Sequence, residues 1–106
     1  MRINLSPQRR DDVLEVVKQG SALVLNGEVF DFSPMAAGDT LPAAAINSEW
    51  FDGAVAHVGG ELVVTLILPN PWNYSREQAF PVPLLNVPDG PVVFPLPLLE
   101  VADEQY

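Results

Sequence analysis

Two pairs of turn residues, Asn26-Gly27 and Gly59-Gly60, restrict this chain more than any other feature. Each pair lies between apolar runs. A two-residue hairpin loop of type I′ needs positive φ at both central positions, a region that Asn-Gly and Gly-Gly enter at little steric cost. In LVLNGEVF, residues 23–30, such a turn sets Leu25 opposite Glu28, Val24 opposite Val29 and Leu23 opposite Phe30. Leu23, Phe30 and Phe32 then share the core face, Val24 and Val29 point the other way, and Asp31 is solvated. The Gly59-Gly60 turn joins 50–58 to 61–68 in the same manner. It sets His57 opposite Leu62, Ala56 opposite Val63, Val55 opposite Val64 and Ala54 opposite Thr65.

The run ELVVTLIL, residues 61–68, is apolar on both faces, which is the pattern of a central strand covered on both sides. Its hairpin partner supplies Gly53, Ala54 and Ala56, small residues that predict close packing over them. Trp50-Phe51 opens that partner and reads as core. Upstream, Arg2–Ser6 alternates polar and apolar as a half-buried strand, and Ser6-Pro7 predicts its end. Residues 13–18, VLEVVK, admit two readings. Asp11 or Asp12 as N-cap with Glu15 in the first turn suits a short helix; three valines in six residues and Gly20 just after favour a strand. Residues 33–48 form an Ala-, Gly- and Pro-rich connection, in which Ala43–Ile46 after Pro42 reads as one helical turn.

These signals predict an all-β fold: a small antiparallel sandwich or open barrel of hairpins, with six to seven strands. The alternative is α+β, with a short helix at 11–18. At 106 residues the chain is read as one domain. Residues 81–106 stand apart in character. The run PVPLLNVPDGPVVFPLPLL holds six of the eleven prolines, and proline is excluded from helix interiors and central strands. The segment is therefore extended, with a Pro-Asp-Gly-Pro turn at 88–91. Being apolar, it must lie across a surface, either the open side of its own sheet or a neighbouring subunit. An acidic terminus follows at 100–106.

The net charge is −9, from 14 acids against 5 bases, and residues 19–75 hold six acids with no lysine or arginine. Without a basic cluster, binding to nucleic acid or to an anionic membrane is disfavoured. The acidity serves solubility, or presents a face to a basic partner. The segment SPQRRDD places Arg9 and Arg10 against Asp11 and Asp12. It is read as a turn whose exposed ion pairs contribute about 0–1 kcal/mol each. No apolar run approaches the roughly 18 residues of a membrane span, and MRINLSPQRRDD lacks a secretory apolar core. The expected location is the cytoplasm of the cell that makes it, or a particle assembled there.

The absence of cysteine excludes disulfides, thiolate metal sites and a cysteine nucleophile. His57 is the only histidine, so a metal would need carboxylates alone. No serine sits in a Gly-x-Ser-x-Gly frame, and no Walker or dinucleotide glycine pattern occurs. The expectation is a non-enzymatic protein with no catalytic residue, no metal and no cofactor. Recognition has better candidates. Trp72 and Tyr74 are spaced by one residue on a proline-flanked loop with Asn70 and Asn73. Aromatic rings and amides of this kind stack on sugars and bond their hydroxyls; they also fasten loops to a core. Phe94, in the proline-rich run, is the fifth candidate for interaction.

SPQRRDDVLEVVKQGSALVLNGEVFDFSPM, followed by LPAAAINSEWFDGAV and ELVVTLILPNP, resembles small prophage proteins encoded in the tail or tail-fibre region of temperate phages of Gram-negative bacteria. The resemblance runs from residue 1 to about residue 83. It implies a genomic neighbourhood and carries over no functional residue. Together these features lead to an accessory protein acting by protein–protein contact in tail or tail-fibre assembly. Its partner would be a tail component, a homo-oligomer is compatible, and its place the host cytoplasm or the virion. The runner-up is a small carbohydrate- or ligand-binding module that uses the loop aromatics.

Overall fold

The structure, a computed structural model, describes residues 1–98; the acidic terminus read at 100–106 lies outside the described residues. Along the chain run β1 (Arg2–Arg9), β2 (Val16–Gln19), β3 (Ala22–Leu25), β4 (Glu28–Asp31), β5 (Thr40–Leu41), β6 (Val55–Val58), β7 (Glu61–Asn70), a four-residue helix α1 (Arg76–Ala79) and β8 (Gly90–Pro91). They form two four-stranded sheets, ordered β1-β7-β6-β5 and β4-β3-β2-β8. The fold is an all-β sandwich, with no closed barrel. Residues 11–15 form no helix, and β2 takes up the end of the ambiguous 13–18 run.

Both glycine turns form as expected. Asn26 and Gly27 have φ of 49° and 88°, and β3 meets β4 with Leu25 opposite Glu28, Val24 opposite Val29 and Leu23 opposite Phe30. Gly59 and Gly60 have φ of 58° and 82°, and His57 faces Leu62 as Ala56 faces Val63. A third tight turn, Gly20-Ser21, joins β2 to β3. Only its first central residue has positive φ, at 60°, the type II′ arrangement that wants glycine there.

Beyond Ala56 the expected register fails. Phe51 bridges Leu66, whereas an unbroken ladder would put Gly53 there. Gly53, at φ 100°, sits in a bulge, and nothing lies within 4 Å of where its Cβ would be. Gly53 and Ala54 are exposed. Their small size reflects a local excursion of the backbone, and the expected close packing over them is absent. The strand expected from Trp50 accordingly begins at Val55.

β7 is central, as its two apolar faces require. Its other neighbour is unexpected: β1 runs parallel to it, from Arg2 beside Val63 to Arg9 beside Asn70. Proline does not end β1 at residue 7. Ile3 exchanges backbone hydrogen bonds with Leu84, at 2.9 and 2.8 Å, on the side away from β7. In a parallel ladder alternate residues turn the same way, so Pro7 also faces outward, where a missing N–H breaks no rung with β7.

The core lies between the sheets. Ile3, Val55, Val64 and Leu66 from one side meet Leu23, Leu25, Val16 and Phe32 from the other, all buried. Phe51 sits edge-on to Phe30 and Phe32, at 5.2 and 5.8 Å between ring centroids. The proline-rich segment straps the sandwich. Leu84 adds one rung to β1, Gly90 and Pro91 pair with Lys18 and Val17 of β2, and the Val92 N–H donates to the Val16 carbonyl at 2.8 Å. The segment thus lies along edges of its own sheets, where the open side of a sheet or a neighbouring subunit was expected. Among the described residues, no helix is long and apolar enough to cross a membrane.

Candidate functional site

The loop after β7 is built on a buried amide. Asn70 is 4% exposed; its Nδ2 donates to the Gln78 carbonyl at 2.8 Å, while its backbone carbonyl accepts from the Arg10 N–H at 2.9 Å. Asn70 therefore holds the loop and offers nothing to a ligand at the surface. Ser75 caps α1: its Oγ accepts from the Gln78 N–H, and Gln78 Oε1 accepts from the Ser75 N–H, a reciprocal capping box. Ser75 Oγ also donates to the Leu96 carbonyl at 2.7 Å. Asn73 bonds Leu98 twice, Nδ2 to carbonyl at 2.8 Å and Leu98 N–H to Asn73 carbonyl at 2.9 Å. Loop and strap are thereby tied together.

The fastening falls to Asn70, Asn73, Ser75 and Gln78, and the aromatics project from it. Trp72 is 71% exposed and Tyr74 is 48% exposed. Phe94 is half-buried and packs against the core. Of the five candidate residues, then, two are open to solvent, two hold the loop and one belongs chiefly to the interior.

The strap carries a second set of exposed side chains that residue-by-residue reading missed. Leu84, Val87, Val92 and Phe94 turn inward, while Val82, Leu85, Val93, Leu96 and Leu98 are exposed. The signal was present: successive side chains of an extended chain point to opposite sides, so an extended run apolar throughout must show apolar groups outward. A groove of about 270 Å³ lies in this surface, lined by Pro83, Leu85, Pro88, Pro91 and Val93 among others.

Charged groups frame the strap. Lys18 Nζ lies 2.7 Å from Asp89 Oδ1, which also accepts from the Gly20 N–H at 3.1 Å. The ammonium first, and the amide second, hold the Asp89 carboxyl below the usual carboxylate range. At the other end of the strap, SPQRRDD is strand through Arg9 and turn only at 10–12. Arg9 pairs with Asp11, and Arg10 with Asp12 and Glu49. The Arg10 guanidinium also covers the Trp50 ring, a role beyond the loop geometry expected of it.

His57 stands in β6 opposite Leu62, its Nδ1 buried without a protein partner. Among the described residues, no three His, Asp or Glu side chains gather as metal ligands would. Comparisons with protein-family models, with curated proteins and with solved structures each find no match for this chain.

Proposed function

We propose that this chain is a non-enzymatic phage or prophage accessory protein that acts by protein–protein contact in the assembly of a tail or tail fibre. One observation carries the contact role. Of the eleven large hydrophobic side chains exposed among the described residues, eight lie between Trp72 and Leu98. Between Gln78 and Leu98 the one charged residue is Asp89. Apolar surface concentrated on one length of chain is the mark of a contact face. Its placement on a strap pinned at Ile3, Lys18 and Asn73 holds it ready for a partner with little ordering cost. The tail assignment is supported by the resemblance read in residues 1–83, and with it we propose a location in the host cytoplasm or the virion.

The test is co-expression with the products of the flanking genes. The expected result is co-purification with a tail component, lost on Val93→Glu or Leu96→Glu. Flanking genes unrelated to tails, with no retained product, would overturn the proposal.

The exposure of Trp72 and Tyr74 favours a second reading, a module that stacks these rings on a sugar or similar ligand. Titration of Trp72 emission with a glycan panel tests it. Absence of any shift across the panel removes it.

A further inference from the structure

We propose that the strap is exchangeable between copies of this chain: residues 84–94 of one copy seat on the sheet edges of another, with Pro81-Val82-Pro83 as the hinge. The partner fitted by these edges is a second copy of the same chain. Its shape complementarity is already visible within one molecule. The Leu84 rung on Ile3, the pairing of Gly90 and Pro91 with β2, the Lys18–Asp89 contact and the buried Val87 together define a seat for one particular extended segment. Exchange preserves every one of these contacts, which is why swapping an identical element is a low-cost route to a dimer.

The connection is suited to opening. Among the described residues, none of Pro81, Val82 or Pro83 makes a hydrogen bond. Alternating prolines hold such a stretch extended, so reaching away costs it little conformational change. Beside β1 the strap makes one rung, at Leu84, and one further bond, from the Val87 N–H to the Met1 carbonyl at 3.2 Å. Its remaining ties, to β2, Asn73 and Ser75, are made to the body of the molecule and are equally available from a second copy. Phe80, just before the hinge, and Val82, within it, are 76% and 74% exposed. Two hinges running past each other would give these side chains the cover they lack in the closed molecule. Opposing this, each copy carries a net charge of −9, so salt that screens the repulsion favours the exchanged form. No other protein is needed, and exchange therefore stands or falls separately from the contact role proposed above.

The chain has no cysteine, which allows a direct test. Val17 and Pro91 are Cα partners across β2 and β8, close enough for a disulfide. Val17→Cys and Pro91→Cys variants, each checked for a parental circular dichroism spectrum, are mixed at high concentration and oxidised. The expected result is a mixed disulfide dimer well over twice as abundant as either homodimer, the ratio that random pairing of equal pools gives, and rising with protein and salt concentration. The unsubstituted chain gives a second readout, a dimer on size-exclusion chromatography that outlasts dilution. A mixture no richer in the mixed bond than random collision gives, or a parent that stays monomeric at every concentration and salt level, would overturn the proposal.

Discussion

The guanidinium carbon of Arg10 lies 4.4 Å from the centroid of the Trp50 ring. The same group donates to both carboxylate oxygens of Asp12, at 2.8 and 2.5 Å, and to Glu49 at 2.8 Å. A planar fork can stack flat on a ring while two of its N–H groups bond one carboxylate, a geometry an ammonium lacks. The hydrogen bonds from Arg10 hold the Asp12 carboxyl below its ordinary range, and those carboxylates hold the guanidinium above its own. One side chain thus ties the turn after β1 to the Trp50 segment that precedes β6.

Replacing Arg10 is therefore expected to matter more than replacing Arg9, whose ion pair is with the exposed Asp11 alone. Arg10→Met should lower the thermal midpoint more than Arg9→Met. In a Trp72→Phe background it should also shift Trp50 emission to the red. Arg10→Lys should fall between, because charge survives and the fork does not. Equal midpoints for the two Met variants would show that the stack contributes nothing.

Asn26 makes a second, sharper case. As a turn residue it could be replaced by glycine without loss. Its side chain, however, also accepts from the Glu15 N–H at 2.7 Å and donates to the Val13 carbonyl at 3.0 Å. Asn26→Gly is expected to destabilise by about 1–3 kcal/mol, the sum of two ordinary hydrogen bonds. Gly27→Ala should cost about 1–2 kcal/mol for a different reason, positive φ at a residue with a Cβ. Urea denaturation of both variants measures the difference; a neutral Asn26→Gly would reduce that residue to its turn role.

Asn26 also marks the line between what the sequence discloses and what it does not. The Asn-Gly and Gly-Gly turns are local, so their registers could be read directly from adjacent residues. Gly20-Ser21 is equally local, but its glycine reads only as the end of a strand, and that reading misses the third hairpin it turns. Gly53 reads as a sign of close packing, although an isolated glycine in a strand often marks a bulge. The pairing of β1 with β7 had no such cue. Parallel strands require a long crossover, and here the other sheet and the β5–β6 segment lie between the partners. Nothing near Arg2–Arg9 names residues 63–70 as its neighbours. In the candidate site, Trp72 and Tyr74 were found by residue type. The buried place of Asn70 depends on the carbonyl of Gln78, eight residues away in α1, beyond the reach of local pattern.

Acid should loosen the strap. Asp89 is held below its ordinary pKa chiefly by Lys18 and then by the Gly20 amide. A carboxyl depressed in the folded state contributes stability that is fully present above its unfolded value, near 4. That contribution fades as pH falls through the lower folded value. Asp12, depressed by Arg10, acts in the same direction. Urea midpoints are thus expected to hold steady above about pH 5 and fall below it. Asp89→Asn should flatten part of that fall and weaken protection of the Lys18 and Val92 amides in hydrogen exchange. An acid limb unchanged by Asp89→Asn would mean that the Lys18 contact does not hold the strap.

The two tryptophans should behave oppositely on truncation. Trp50 is 9% exposed and packed in the core, so Trp50→Ala is expected to cost about 3–5 kcal/mol. Trp72 is 71% exposed, and the loop that carries it is held by Asn70, Asn73 and Ser75. Trp72→Ala should therefore change stability by no more than about 0.5 kcal/mol. Denaturant unfolding of the two variants decides between the roles open to an aromatic on a rigid loop. A loss at Trp72 comparable to that at Trp50 would make it an anchor, and would take away the exposed ring on which the ligand-binding reading depends. A neutral Trp72→Ala leaves a costly side chain facing water with no part in folding, which is what a contact residue looks like before its partner arrives.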